Sequence, residues 1–128
     1  MRSLRSFGDL ESAVMNQLWV TGRPMLVREV LEGLREDRPL AYTTVMTVMD
    51  KLHRKGWLTR EREGRAYLYQ PSASRETYAA QLMSQAFTQA GDATATLIRF
   101  IEAMSPDEAA ALDRALSERL NTDSENEL

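Results

Sequence analysis

Between Tyr42 and Lys55 the chain places three short hydroxyls, Thr43, Thr44 and Thr47, and three cations, Lys51, Arg54 and Lys55. At roughly 100° per residue, most of these gather on one side of a helix while Val45, Val48, Met49 and Leu52 gather on the other. Hydroxyls near the start of such a helix suit phosphates or base edges, and threonine methyls suit thymine. Cations further along neutralise phosphate as the helix leaves a groove. Met46, among the threonines, reads as exposed. Arg65, at a glycine turn, reaches an adjacent phosphate or the minor groove, with Arg60 and Arg62 supporting it from the strand. The face has no Asn or Gln and no arginine at the helix start, so backbone contact and shape are expected to supply much of the affinity.

Other chemistry is hard to assemble. The 128 residues include no cysteine and one histidine, His53. That excludes disulfides, thiolate metal sites and thiol nucleophiles, and leaves Ser/His/Asp catalysis and imidazole metal sites short of partners. We expect no enzyme, no cofactor and no metal, with His53 solvated on its helix. The net charge of −3 hides an asymmetry: residues 1–70 hold 12 Lys/Arg against 9 Asp/Glu, whereas residues 71–128 hold 4 against 10. The halves are therefore +3 and −6. Six of the basic residues lie between Lys51 and Arg65, so an acidic total does not exclude a polyanion partner. Such a run is also compatible with a merely solvated face. No window is long and apolar enough to span a bilayer, which predicts a soluble, cytoplasmic protein without membrane insertion.

The elements that must hold this face follow from periodicity. Asp9 is a candidate N-cap for a first helix carrying Leu10, Val14 and Leu18 and ending near Gly22. A short second helix repeats Val27, Val30, Leu31 and Leu34 and stops at Asp37 to Pro39. The third, Tyr42 to Lys55, has β-prone composition, but helical periodicity sorts it cleanly and Gly56 caps it. Thr43 and Thr44 are alternative capping groups for its start. Two short β-prone runs around Glu63-Gly64-Arg65 form a hairpin. Trp57, Tyr67 and Tyr69 read as packing residues of the hairpin and core. Helix, helix, helix and hairpin is the order of a winged helix-turn-helix domain, assigned here to residues 1–72.

After Pro71 the strand signals stop. Three amphipathic helices are predicted over 73–121, the last starting at Ser105-Pro106-Asp107-Glu108 with a capping serine and a capping box. Residues 122–128 read as a disordered acidic tail. Tyr78, Leu82, Leu97, Ile98, Ile101, Leu112 and Leu116 lie on apolar faces wide enough to favour a second copy, giving a mainly α chain with a small β-hairpin and a three-helix dimerisation region.

The run Tyr42-Thr43-Thr44-Val45-Met46-Thr47-Val48-Met49, followed by Leu52, Arg54-Lys55-Gly56-Trp57-Leu58, Gly64-Arg65, Tyr69 and Pro71, resembles the penicillinase-repressor family of bacterial β-lactamase, methicillin-resistance and copper-transport repressors. Helix one fits through Leu10-Glu11, Val14-Met15 and Leu18-Trp19. The resemblance implies a homodimeric repressor of β-lactam-response or cell-envelope-stress genes that binds a dyad-symmetric operator in double-stranded DNA. In members that answer to β-lactams it further implies a membrane sensor-protease pathway that cleaves the dimerisation region at an Asn-Phe bond. The matching bond here is Arg99-Phe100, where asparagine is replaced. The copper-responsive branch uses C-terminal cysteines, which this chain lacks. Family members often carry basic residues where Thr43 and Met46 stand, which implies a different operator or fewer direct contacts. Two other readings of the residues stay open: a winged-helix regulator that responds to a small ligand, and a winged-helix protein-interaction module.

Overall fold

The computed structural model describes residues 7–36 and 39–127. Helix α1 (Asp9–Thr21) is capped by Gly8, one residue before the expected Asp9. Glu11 explains the shift, because its carboxylate accepts the Gly8 N–H at 3.2 Å and closes the first turn without an aspartate cap. Gly22 ends the helix at φ 71°, a left-handed conformation that favours glycine. The chain then makes a two-residue strand β1 (Met25–Leu26) and enters α2 (Val27–Leu34). The stop expected at Asp37 lies outside the described residues. Helix α3 (Tyr42–Arg54) follows, capped by Ala41 with no side-chain hydrogen bond, so neither Thr43 nor Thr44 is its cap.

Strands β2 (Leu58–Glu63) and β3 (Ala66–Pro71) form the expected hairpin, in register from Leu58 opposite Pro71 to Glu63 opposite Ala66. Gly64, at φ 63°, takes the first position of the two-residue turn, where a left-handed backbone is needed. β1 adds to the other edge of β3, Met25 opposite Tyr69, giving a three-stranded antiparallel sheet in the order β1-β3-β2. Two residues are too few to leave a period-2 signal, so this third strand is invisible to patterning.

The sheet and α1–α3 enclose one core. Val14, Met15, Leu18, Val30, Val45, Met49, Leu52 and Leu58 are fully or nearly fully buried, and no described polar side chain is buried with them. Trp57 and Tyr69 also enter the core, as their sequence context predicts.

Helices α4 (Arg75–Thr88), α5 (Ala93–Glu102) and α6 (Pro106–Asn126) complete the chain. The chain divides into two compact units, Met1–Gln85 and Ala86–Leu128, instead of breaking at residue 72. The start of α4 belongs to the first unit because Tyr78 lies in its aromatic cluster. Its ring stacks on Phe7 at 4.3 Å and meets Trp57 edge-on at 4.9 Å, while its hydroxyl accepts the Phe7 N–H at 3.2 Å. In the second unit, Asp92 caps α5 by accepting the Ala95 N–H at 3.0 Å. Ser105 and Glu108 form the predicted capping box of α6.

Helix α6 runs to Asn126, through most of the segment expected to be a disordered tail. Local bonds account for the extension: Arg119 Nε donates to Asp123 at 3.3 Å, and Thr122 Oγ1 to the Glu118 carbonyl at 2.9 Å. Once a capping box has started a helix of this length, each added residue costs little. No described helix is long and apolar enough to cross a membrane.

Candidate nucleic-acid interface

Burial of Val45, Met49 and Leu52 sets the rotation of α3, and that rotation turns the remaining side chains outward. Thr43, Thr44, Met46, Thr47 and Lys51 are all exposed, on the side away from the core. Thr47 Oγ1 donates to the Thr43 carbonyl at 2.8 Å, which orients its hydroxyl along the helix and leaves its lone pairs outward.

The cations expected to act together divide into two groups. Lys51 and Arg65 are in no ion pair among the described residues. The others are engaged: Arg54 pairs with Asp50 at 2.8 Å, Lys55 with Glu11 at 3.4 Å, and Arg62 donates to the Gly64 carbonyl at 3.2 Å. Arg60 is the most constrained. It donates to Asp50 at 3.1 Å and to the Tyr69 hydroxyl at 3.2 Å, and its guanidinium lies 4.1 Å from the Tyr67 ring centre. The Tyr69 hydrogen bond is the main cause that raises its pKa above the usual arginine value, with Asp50 adding to it. Arg60 therefore braces the wing instead of extending from it. Arg54 and Lys55 are still exposed, and a phosphate could draw either from its carboxylate at small cost, since surface pairs contribute about 0–1 kcal/mol.

One cation on this side escapes sequence patterning. Arg28, on the first turn of α2, lines a recess of about 520 Å3 with Tyr42, Met46, Arg65 and Tyr67. Arg28 is exposed, and only the packing of α2 beside α3 and the wing brings it to the same recess as Arg65. His53, expected to be solvated, is half-buried, with its Nδ1 enclosed and without a hydrogen-bond partner. Among the described residues no cluster of His, Cys, Asp and Glu could hold a metal.

The expected dimerisation residues also separate. Tyr78, half-buried, packs in the aromatic cluster of the first unit, with its ring against Phe7 and Trp57. Leu82 lies half-buried in the same unit. In the second unit Leu97, Ile98 and Ile101 on α5 are 46%, 51% and 46% exposed, and on α6 Leu116 is exposed and Leu112 half-buried. Arg99 and Phe100 lie within α5, where Arg99 pairs with Glu102 at 3.6 Å.

A helix seated on a three-helix core with its polar face outward, flanked by a hairpin of a three-stranded sheet, defines a winged helix-turn-helix protein. Residues 7–118 match the model of the penicillinase repressor family. The chain is also 46% identical over 121 residues to the transcriptional regulator BlaI of Mycobacterium tuberculosis, covering 92% of this chain and 88% of that one. It belongs to the penicillinase repressor family, whose members are transcriptional regulators and not enzymes. Among solved structures, the DNA-binding domain of the repressor BlaI is similar at 27% identity with a TM-score of 0.51, over 59% of this chain and 90% of that domain. A monomeric Bacillus licheniformis BlaI in complex with the blaP half-operator matches at 26% identity with a TM-score of 0.48, over 59% of this chain and 92% of that one.

Proposed function

We propose that this chain is a homodimeric transcriptional repressor that holds a dyad-symmetric DNA operator through α3 and the wing. The observation that carries it is the division of α3: Val45, Met49 and Leu52 are spent on the core, while Thr43, Thr44, Met46, Thr47 and Lys51 are presented outward in a chain of this family. Arg65 extends the contact from the wing, and Arg54 and Lys55 exchange their carboxylate partners for phosphates.

Dimerisation is assigned to the second unit. Helices α5 and α6 bury no residue, and Leu97, Ile98, Ile101, Leu112 and Leu116 give them an apolar surface that a second copy would cover. The dimer matters for affinity because one winged unit offers few phosphate contacts, whereas a tethered second unit meets its half-site at high effective concentration. Loss of the dimer therefore releases the operator. A sensor-linked protease acting at Arg99–Phe100 first has to open α5, since the bond lies inside a helix and proteases favour extended, exposed chain.

The test is to incubate the full chain with fragmented DNA from its source genome, recover bound fragments near physiological salt and sequence them. The expected result is a small set of fragments sharing an inverted repeat with half-site centres about one helical turn, or a multiple, apart. Recovery of nothing above background overturns the proposal.

A further inference from the structure

The recess beside Met46 has a composition that general phosphate binding does not require. Its rim carries Arg28 from α2 and Arg65 from the wing, neither in an ion pair among the described residues. The lining also includes Tyr42, Met46 and Tyr67, three large side chains that remain exposed, Met46 at 41%. An exposed methionine gains nothing from the core, and it shares the recess with Tyr42, one helical turn earlier on α3, and with Tyr67 of the wing. The wing side is held in place, because the Arg60 guanidinium lies 4.1 Å from the Tyr67 ring centre and the Tyr67 and Tyr69 rings meet edge-on at 6.3 Å. The recess thus combines two cations with a lining that is otherwise apolar or aromatic.

Resting on the operator-binding reading above, we infer that this recess is a thymine-reading cleft. The two guanidiniums neutralise phosphates on either side of it, and Met46 makes apolar contact with the C5-methyl of one thymine per half-site. The chemistry fits the major groove, where the thymine methyl is the one apolar feature a base pair presents, and side chains without donors or acceptors can distinguish it. It also supplies base discrimination to a helix that lacks Asn, Gln or an arginine at its start. Arg28 thereby joins the interface from a helix other than the one in the groove.

The test uses the full chain and its selected operator, with each thymine replaced in turn by uracil, which removes only the C5-methyl. Wild-type binding is expected to weaken about fourfold at one thymine per half-site, the effect of one lost buried methyl. Met46→Ala, which removes the contact from both protomers, is expected to bind the unmodified operator about 16-fold more weakly and to be indifferent to that uracil. Met46→Leu should keep the sensitivity. Arg28→Ala and Arg65→Ala, each removing one phosphate contact per protomer, should each reduce the salt slope of dimer binding by about 2. All three positions are exposed, and thermal unfolding verifies that the variants remain folded. A uracil profile unchanged in Met46→Ala, or a salt slope unchanged in Arg28→Ala, overturns the cleft. Failure of the wild type to select any operator is a different result and removes the operator-binding reading itself.

Discussion

Asp50 and Arg60 join the outward-facing helix to the wing: Oδ1 of Asp50, on α3, accepts from Nη1 of Arg60, on β2, at 3.1 Å, while Oδ2 accepts from Arg54 at 2.8 Å. One carboxylate thus links the two parts that would meet DNA. We expect Asp50→Ala to lower stability by about 1 kcal/mol or less, because the pair is partly exposed. Operator affinity should fall about fivefold, equivalent to about 1 kcal/mol of binding, as the wing loses its brace. Thermal unfolding and operator titration measure the two effects; wild-type affinity in this variant would show that the ion pair does not position the wing.

The polar face of α3 predicts two kinds of loss. Thr47→Ala and Lys51→Ala are expected to weaken operator binding without changing the melting temperature, because both residues are exposed. Arg65→Ala should cost affinity to a similar extent on specific and unrelated duplexes, as expected of a phosphate contact. Binding isotherms on the two duplexes decide it, and undiminished binding by all three variants would place the interface elsewhere.

Leu97→Asp and Ile101→Asp each put a charge on the exposed apolar side of α5. Sedimentation should show monomers at concentrations where the wild type is dimeric. Operator affinity should fall about 100-fold or more with loss of the tethered half-site. Dimers that persist with unchanged operator affinity would exclude α5 from the interface.

Tyr78 separates stability from assembly. Tyr78→Ala should lower the stability of the first unit by about 3 kcal/mol, since it removes an aromatic that stacks on Phe7 and meets Trp57. Tyr78→Phe should cost only about 1 kcal/mol, for the Phe7 N–H bond. Both variants should sediment as the wild type does. A monomeric Tyr78→Phe of normal stability would return this residue to the dimer face.

Glu29 gives a pH dependence. Its carboxylate accepts the Leu26 N–H at 2.9 Å and Arg23 Nη2 at 2.9 Å, and these bonds, the backbone one first, hold its pKa below the usual glutamate value of about 4.3. A depressed folded-state pKa contributes stability that is complete above the unfolded pKa and is lost as pH falls through the folded value. Melting temperature should therefore drop as the pH falls below about 4.3, and Glu29→Gln should be less stable at pH 7 with a shallower decline. Parallel declines in the two proteins would remove Glu29 from the acid response.

Much of the interface was legible because α3 is amphipathic at helical period. Once Val45, Met49 and Leu52 are assigned inward, Thr43, Thr44, Thr47 and Lys51 must face outward, and the glycine turn places Arg65 at the wing tip. The same local logic locates the Ser105 capping box and the exposed apolar residues of α5. It fails where contacts join distant parts of the chain. Which cations are committed depends on carboxylates elsewhere: Lys55 meets Glu11 from 44 positions away, and Arg60 meets Asp50 across the helix-to-wing corner. Tyr78 carries the same apolar pattern as its α4 neighbours, yet Phe7, 71 positions earlier, draws it into the first unit.

By itself, then, the order of residues determined the helices, the hairpin and the outward face of α3, because each depends on spacing within one element. Only the tertiary structure decided that β1 would close a third strand, that Arg28 would share a recess with Arg65 and Met46, and that Arg60 would be a brace. These outcomes depend on how finished elements pack against one another, and packing is chosen by the whole core at once, which no single period along the chain records.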